Sequence, residues 1–228
     1  MITTIFLDLD DTLFSFQQAE QVALEETMRH YALPYSDEIL ALYSAGNDAQ
    51  WKLLEQDKVQ RSEIGYRRFD LLLTHLGSDL DREEVNHYYM KRLSSRHFFL
   101  PGAEELLSAL HGRYTLCLAS NGTGWVQEGR LKSSGILPLL DRVFISEYLG
   151  ANKPQLGFFD ACFASLPGVK RSESLILGDS LTSDMRGGKI AGMHTCWYNP
   201  NRLPLPTDGT VEYQIHRLPD LLPLLEKL

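Results

Sequence analysis

Residues 5–14 read IFLDLDDTLF: an apolar run that ends in Asp8, Asp10 and Asp11. The apolar half predicts a strand driven into a core. Charged side chains are rarely buried without a partner. The strand therefore either runs out into solvent or meets something cationic at its tip.

Five more short apolar runs follow, at YTLCLASN, RVFIS, SLILGD, MHTCWYN and VEYQIH. Amphipathic stretches separate them near 102–112, 124–135, 155–166 and 182–192, and another closes the chain at 218–227. Continuous apolar strands alternating with helices predict a parallel sheet buried on both faces. Between Ser15 and His97 the texture is helical throughout. Phe69, Leu72, Leu73 and Leu76 keep the i, i+3, i+4, i+7 spacing of one apolar helix face. Leu24 with Met28, Ile39 with Tyr43, and Val85 with Tyr89 suggest three more helices. Breaks are expected at Leu33-Pro34, Ala45-Gly46-Asn47 and Gly77-Ser78-Asp79. The expected architecture is a doubly wound α/β core (1–14 and 98–228) carrying an inserted helical-bundle cap domain (15–97).

The 228 residues are 43% hydrophobic and 23% charged, the composition of an ordinary globular chain. A net charge of -8 argues against nucleic-acid polymers, which favour basic faces, yet leaves a small anionic substrate open. No apolar run approaches the roughly 20 residues of a membrane span, and the first residues do not read as a signal peptide. Cys117, Cys162 and Cys196 are expected as buried, reduced thiols of a cytoplasmic protein.

Ligands of open parallel sheets sit beyond the carboxyl ends of the strands. Those ends carry Asp8-Leu9-Asp10, then Ser120-Asn121-Gly122, then Gly178-Asp179-Ser180 with Asp184 shortly after. Lys153-Pro154 precedes a helix. Each fragment alone is an ordinary turn or helix start, but together, in this order, they form an inventory for metal and phosphate.

The set DLDDTLF, SNG, KP and GDSLTSD resembles the signature of the haloacid dehalogenase superfamily of phosphatases, and the helical insertion is similar to that family's type-1 cap. Finer features resemble the YjjG-type pyrimidine 5'-nucleotidases: the DLDDTLFSF start, NDAQW followed by RRF, and AGMHTCWYN. The resemblance implies that Asp8 attacks phosphorus to form an aspartyl phosphate. It implies that Asp10 protonates the leaving oxygen and later deprotonates water. Mg²⁺ would be held by Asp8, the Asp10 carbonyl and Asp179, with Asp184 orienting a bound water or Lys153. Ser120, Lys153 and groups near Asn121 and Gly122 would bind the phosphoryl oxygens. Asp11, of opposite parity, reads as a turn or cap residue.

The cap is expected to close over the core, hinged near Leu13–Ser15 and Phe98–Pro101, with Trp51 and Arg68 as candidates for recognising a base. Asn47 reads only as a loop residue, and Phe69 as core. The implied partner is a small phosphorylated substrate, a nucleoside monophosphate first of all, acted on by a monomer or homodimer. Phosphoglycolate or sugar phosphate phosphatases and a β-phosphoglucomutase-like mutase stay open. A non-catalytic binding domain on the same fold is a further alternative, disfavoured because Asp8, Asp10 and Lys153 are all present.

Overall fold

The computed structural model describes residues 1–228. The chain divides into two compact units, one formed by Met1–Phe16 with His97–Leu228 and the other by Gln17–Arg96.

The first unit is a six-stranded parallel sheet flanked by helices. Its strands are β1 (Thr4–Leu7), β2 (Thr115–Ser120), β3 (Arg142–Ile145), β4 (Ser174–Gly178), β5 (His194–Tyr198) and β6 (Tyr213–Ile215), in the order β3-β2-β1-β4-β5-β6. β1 is central: Leu7 stands in register with Leu118 on one side and Leu177 on the other. Side-chain alternation sends its residues to two cores. Ile5 and Leu7 join Leu116, Leu118, Leu175 and Leu177 on one face, packed by Leu106 and Leu107 of α5 (Ala103–Leu110) and by Leu131. Phe6 joins Cys117, Ala119, Ile176 and Trp197 on the other, against Phe158, Phe159 and Cys162 of α8 (Leu156–Ala164). A strand with both faces covered reads as a nearly continuous apolar run, as residues 5–7 do after the buried Thr4.

Four further helices complete this unit: α6 (Gly124–Ser134), α7 (Ser146–Leu149), α9 (Arg186–Ala191) and α10 (Leu221–Leu225). The two segments where the chain leaves and re-enters the unit are hydrogen-bonded side by side. The Ser15 N–H donates to the Phe98 carbonyl (2.8 Å) and the Leu100 N–H to that of Leu13 (2.9 Å). All three cysteines are free and buried, and burial pushes the Cys117 and Cys196 thiols up to about 12.

The second unit is helical: α1 (Phe16–His30, whose first residue lies in the first unit), α2 (Asp37–Glu55), α3 (Arg61–His75) and α4 (Arg82–Leu93). Tyr43, Phe69 and Tyr89 pack as a buried aromatic trio, with ring centroids 5.1, 5.3 and 5.5 Å apart. Ser36 and Asp81 cap α2 and α4 by accepting the Ile39 and Glu84 N–H groups.

One expected break is absent. α2 runs straight through Ala45-Gly46-Asn47, and the interruption falls instead at residues 56–60. A glycine inside a helix costs only ~1 kcal/mol. Here Gly46 is buried. The Asn47 carboxamide, which in a loop would bond its own backbone, is occupied by Glu20 and Arg68.

Candidate active site

Asp8 continues β1 by one residue, its N–H donating to the Leu177 carbonyl at 2.9 Å. Its side chain is buried, and both oxygens are engaged: Oδ1 accepts from Lys153 Nζ (2.7 Å), Oδ2 from the Thr12 hydroxyl (3.3 Å). Thr12 Oγ1 in turn accepts the Asp179 N–H at 3.1 Å, so one buried hydroxyl links the tips of β1 and β4. Asp11 sits in the left-handed region (φ 56°), which an aspartate tolerates better than most residues. Its carboxylate accepts the N–H of Phe16, the first residue of α1, as expected of a cap.

Lys153 is 1% exposed. Its ammonium donates to Asp8 Oδ1 (2.7 Å), Asp184 Oδ1 (2.6 Å) and the Ala119 carbonyl (2.6 Å), using all three protons. Burial alone would lower its pKa, but Asp184 and Asp8 outweigh burial and raise it, so the lysine stays charged. The Asn121 carboxamide holds the Lys153 backbone from both sides, donating to its carbonyl and accepting its N–H, each at 2.9 Å. Asn121, expected among the phosphate ligands, thus has its carboxamide committed to placing the lysine.

Asp184 follows β4 within a π-helical turn, Leu181–Met185, and is 1% exposed. Its second oxygen accepts the Ser180 N–H (3.2 Å). Gly178 makes this approach possible, because a Cβ there would lie 2.2 Å from Asp184 Oδ2.

Asp179 is placed differently from its neighbours. Its carbonyl accepts the Trp197 indole N–H (2.8 Å). Its carboxylate is pushed well above the usual range by burial, then by the charges of Asp8 and Asp184. Burial likewise pushes Asp8 up to about 7, with Lys153 pulling it down and Asp184 pushing it up. One oxygen from each of Asp8, Asp179 and Asp184 lies within 4.8 Å of the others. Three carboxylates face a single ammonium, and all the donors are hard oxygens. That set fits a divalent ion such as Mg²⁺.

Ser120 ends β2 and is buried. Its Oγ accepts the Gly122 N–H (3.1 Å) and Gln127 Nε2 (2.8 Å). Gln127 and Arg130 lie one turn apart on α6 and are both buried. Gln127 Nε2 also donates to Asp10 Oδ2 (2.7 Å), and Arg130 Nη1 pairs with Asp10 Oδ1. The Asp10 carboxylate is therefore turned to α6, and only Asp8, Asp179 and Asp184 contribute carboxylates to the acidic cluster.

Sequence reasoning missed Thr12, Gln127 and Arg130. The available signal was helical spacing: two large polar residues three apart, in a helix opening directly after a strand tip.

In the helical unit, Arg68 is 3% exposed. It donates to Asn86 Oδ1 (2.8 Å) and Asn47 Oδ1 (3.0 Å), and its guanidinium lies 5.0 Å from the Tyr89 ring centre. Trp51 is half-buried, packs on the Leu54, Val59 and Ile64 cluster, and has the Arg61 guanidinium 5.4 Å from its ring centre. Phe69 is core.

Residues 2–192 match the haloacid dehalogenase-like hydrolase family. The chain is 36% identical to the pyrimidine 5'-nucleotidase PynA of Streptococcus pneumoniae, over 98% of this chain and 94% of that protein. It is 28% identical to the pyrimidine 5'-nucleotidase YjjG of Escherichia coli, over 98% and 97%. A crystal structure of the HAD-hydrolase YfnB of Bacillus subtilis bound to magnesium superposes with a TM-score of 0.93 at 33% identity, covering 98% of each chain.

Proposed function

The chain belongs to the haloacid dehalogenase-like hydrolases, and on that premise we propose that it is a Mg²⁺-dependent phosphomonoesterase acting on pyrimidine nucleoside 5'-monophosphates. The observation that carries the chemistry is the Asp8–Lys153–Asp184 cluster, at the strand ends and buried. A carboxylate held by a lysine there, with Ser120 at the next strand end, suits attack on a phosphoryl group. The choice of substrate is supported by the likeness to PynA and YjjG.

In the first half-reaction an Asp8 oxygen forms a bond to phosphorus as the bond to the ester oxygen breaks. The departing electron pair takes a proton from Asp10, and the alcohol leaves. In the second, water attacks phosphorus, gives a proton to Asp10, and the bond to Asp8 breaks to release phosphate. Two easier displacements replace one difficult one, and a single carboxyl serves both as acid and as base. Lys153 holds Asp8 in line and faces the transferring charge with its own, while the Ser120 hydroxyl is placed for a phosphoryl oxygen. Asp8, Asp179 and the Asp10 carbonyl would hold the metal, and Asp184 keeps Lys153 between itself and Asp8. Bound there, the ion would supply positive charge against the repulsion between carboxylate and phosphate.

The test compares kcat/KM for thymidine, uridine, adenosine and glucose monophosphates and phosphoglycolate, then repeats the set with Trp51→Ala. Pyrimidine nucleotides should lead by ~10–200-fold, the discrimination available from pocket size. If glucose phosphate or phosphoglycolate wins, the nucleotidase reading fails. If Trp51→Ala leaves the order unchanged, Trp51 has no part in it.

A further inference from the structure

The contacts around Asp10 point to a second layer of the reaction machinery, carried by α6. Gln127 and Arg130 are 2% and 1% exposed, although one is strongly polar and the other charged. A buried arginine is costly unless its geometry is closely matched. Here the match is made through Nη1, while Nη2 is buried without a hydrogen-bond partner. Arg130 Nη1 pairs with Asp10 Oδ1 and also donates to Gln127 Oε1 at 3.0 Å. An arginine only donates, so the glutamine must turn its oxygen to it. That orients the Gln127 amide nitrogen toward Asp10 Oδ2 (2.7 Å) and Ser120 Oγ (2.8 Å).

The two oxygens of Asp10 are thus held by two different residues, and the carboxyl plane cannot turn without breaking one contact. Phe14 supports the guanidinium, its ring centre 5.5 Å from the arginine carbon. Gly122 leaves room for the arrangement: a Cβ there would lie 2.2 Å from Gln127 Nε2. The same glutamine ties Asp10 to Ser120, so the proton-transfer group and the phosphoryl-binding hydroxyl are set against each other.

We propose that Gln127 and Arg130 are positioning residues that fix Asp10 for proton transfer to the leaving oxygen. The inference rests on the proposed role of Asp10 as proton donor. A residue with this role matters in proportion to the leaving group's need for a proton. An alkoxide leaving from a nucleotide needs one, whereas p-nitrophenolate departs without.

The experiment measures kcat/KM for thymidine 5'-monophosphate and p-nitrophenyl phosphate, with magnesium present. It uses the wild-type protein, Arg130→Met, Arg130→Lys, Gln127→Leu and Asp10→Asn, each checked for folding by circular dichroism. Arg130→Met and Gln127→Leu should lose about 10²-fold on the nucleotide and less than about tenfold on the aryl ester, within the range of general acid catalysis. Arg130→Lys should recover part of the loss. If Asp10→Asn shows this split and neither α6 variant does, the positioning role is overturned while the reading of Asp10 stands. If Asp10→Asn shows no split either, the proton-donor reading falls and the inference with it. Should Arg130→Met fail to fold, Gln127→Leu and Arg130→Lys decide: equal losses on both substrates mean a structural role only.

Discussion

Arg68 in the helical unit and Lys153 in the α/β unit are both buried cations, and their surroundings differ in kind. Arg68 faces neutral acceptors, the carboxamide oxygens of Asn47 and Asn86, with Glu20 reached through Asn47. Lys153 faces two carboxylates directly, with a third, Asp179, beside them. The first arrangement satisfies the charge and holds helices together. The second leaves negative charge in excess at the end of a sheet, an unfavourable state that persists where a further cation or a reaction makes use of it. Buried polar clusters are thus told apart by their residual charge.

Asp8→Asn would break the comparison most sharply. The amide keeps the shape and still accepts from Lys153, but it is no nucleophile. Activity should fall by ~10⁴-fold or more while the protein stays folded. Phosphate release and circular dichroism on the same sample check both halves. Near wild-type turnover would remove Asp8 from the mechanism.

Glu20 sharpens the contrast from the helical side. Burial pushes its carboxyl up to about 7, with Asp48 adding to the rise and Ser44, Arg68 and Asn47 opposing it. The folded protein therefore keeps this proton to higher pH than the unfolded chain, which loses it near the ordinary glutamate value of 4.5. Between those values the unfolded state binds fewer protons, so stability falls as pH rises. The contribution is about 3 kcal/mol across the window. Glu20→Gln should remove it and leave the variant more stable than wild type at about pH 8 but not at about pH 5. Urea unfolding of both proteins at the two pH values measures this. A wild-type-minus-variant difference that does not change with pH would place Glu20 outside the titrating set.

The smallest effect is expected from the metal. Excess negative charge at Asp8, Asp179 and Asp184 means that added Mg²⁺ should raise the melting temperature. The gain is about 2.7 kcal/mol at a hundredfold excess over the dissociation constant. Asp179→Asn should lose most of that gain, while the Arg68 cluster, having no excess charge, should not respond. An unchanged melting temperature in wild type would mean that the carboxylates are not a cation site.

The sequence by itself was enough for the six strands: the inner ones are buried on both faces and have little choice but to be apolar, and the edge strands β3 and β6 keep shorter apolar runs with exposed residues. It was also enough for the polar tips at Asp8, Ser120 and Asp179, because strand ends are where parallel sheets present their ligands. Helical spacing marked Phe69, Leu72 and Leu73 as a core face. What it misjudged was local and overridden by packing: Ala45-Gly46-Asn47 looks like a loop but lies inside α2, where Glu20 and Arg68 take up the Asn47 amide.

Only the tertiary structure decided the pairings across long separations. Gln127 and Arg130 meet Asp10 across 117 and 120 residues, and Lys153 meets Asp8 across 145. The Asn121 carboxamide turns to the backbone of Lys153. Side-chain type and spacing constrain a residue's face on its own element. Which partner lies opposite depends on strand order, and β1 lies between β2 and β4 because of the sheet, not because of anything in residues 5–14.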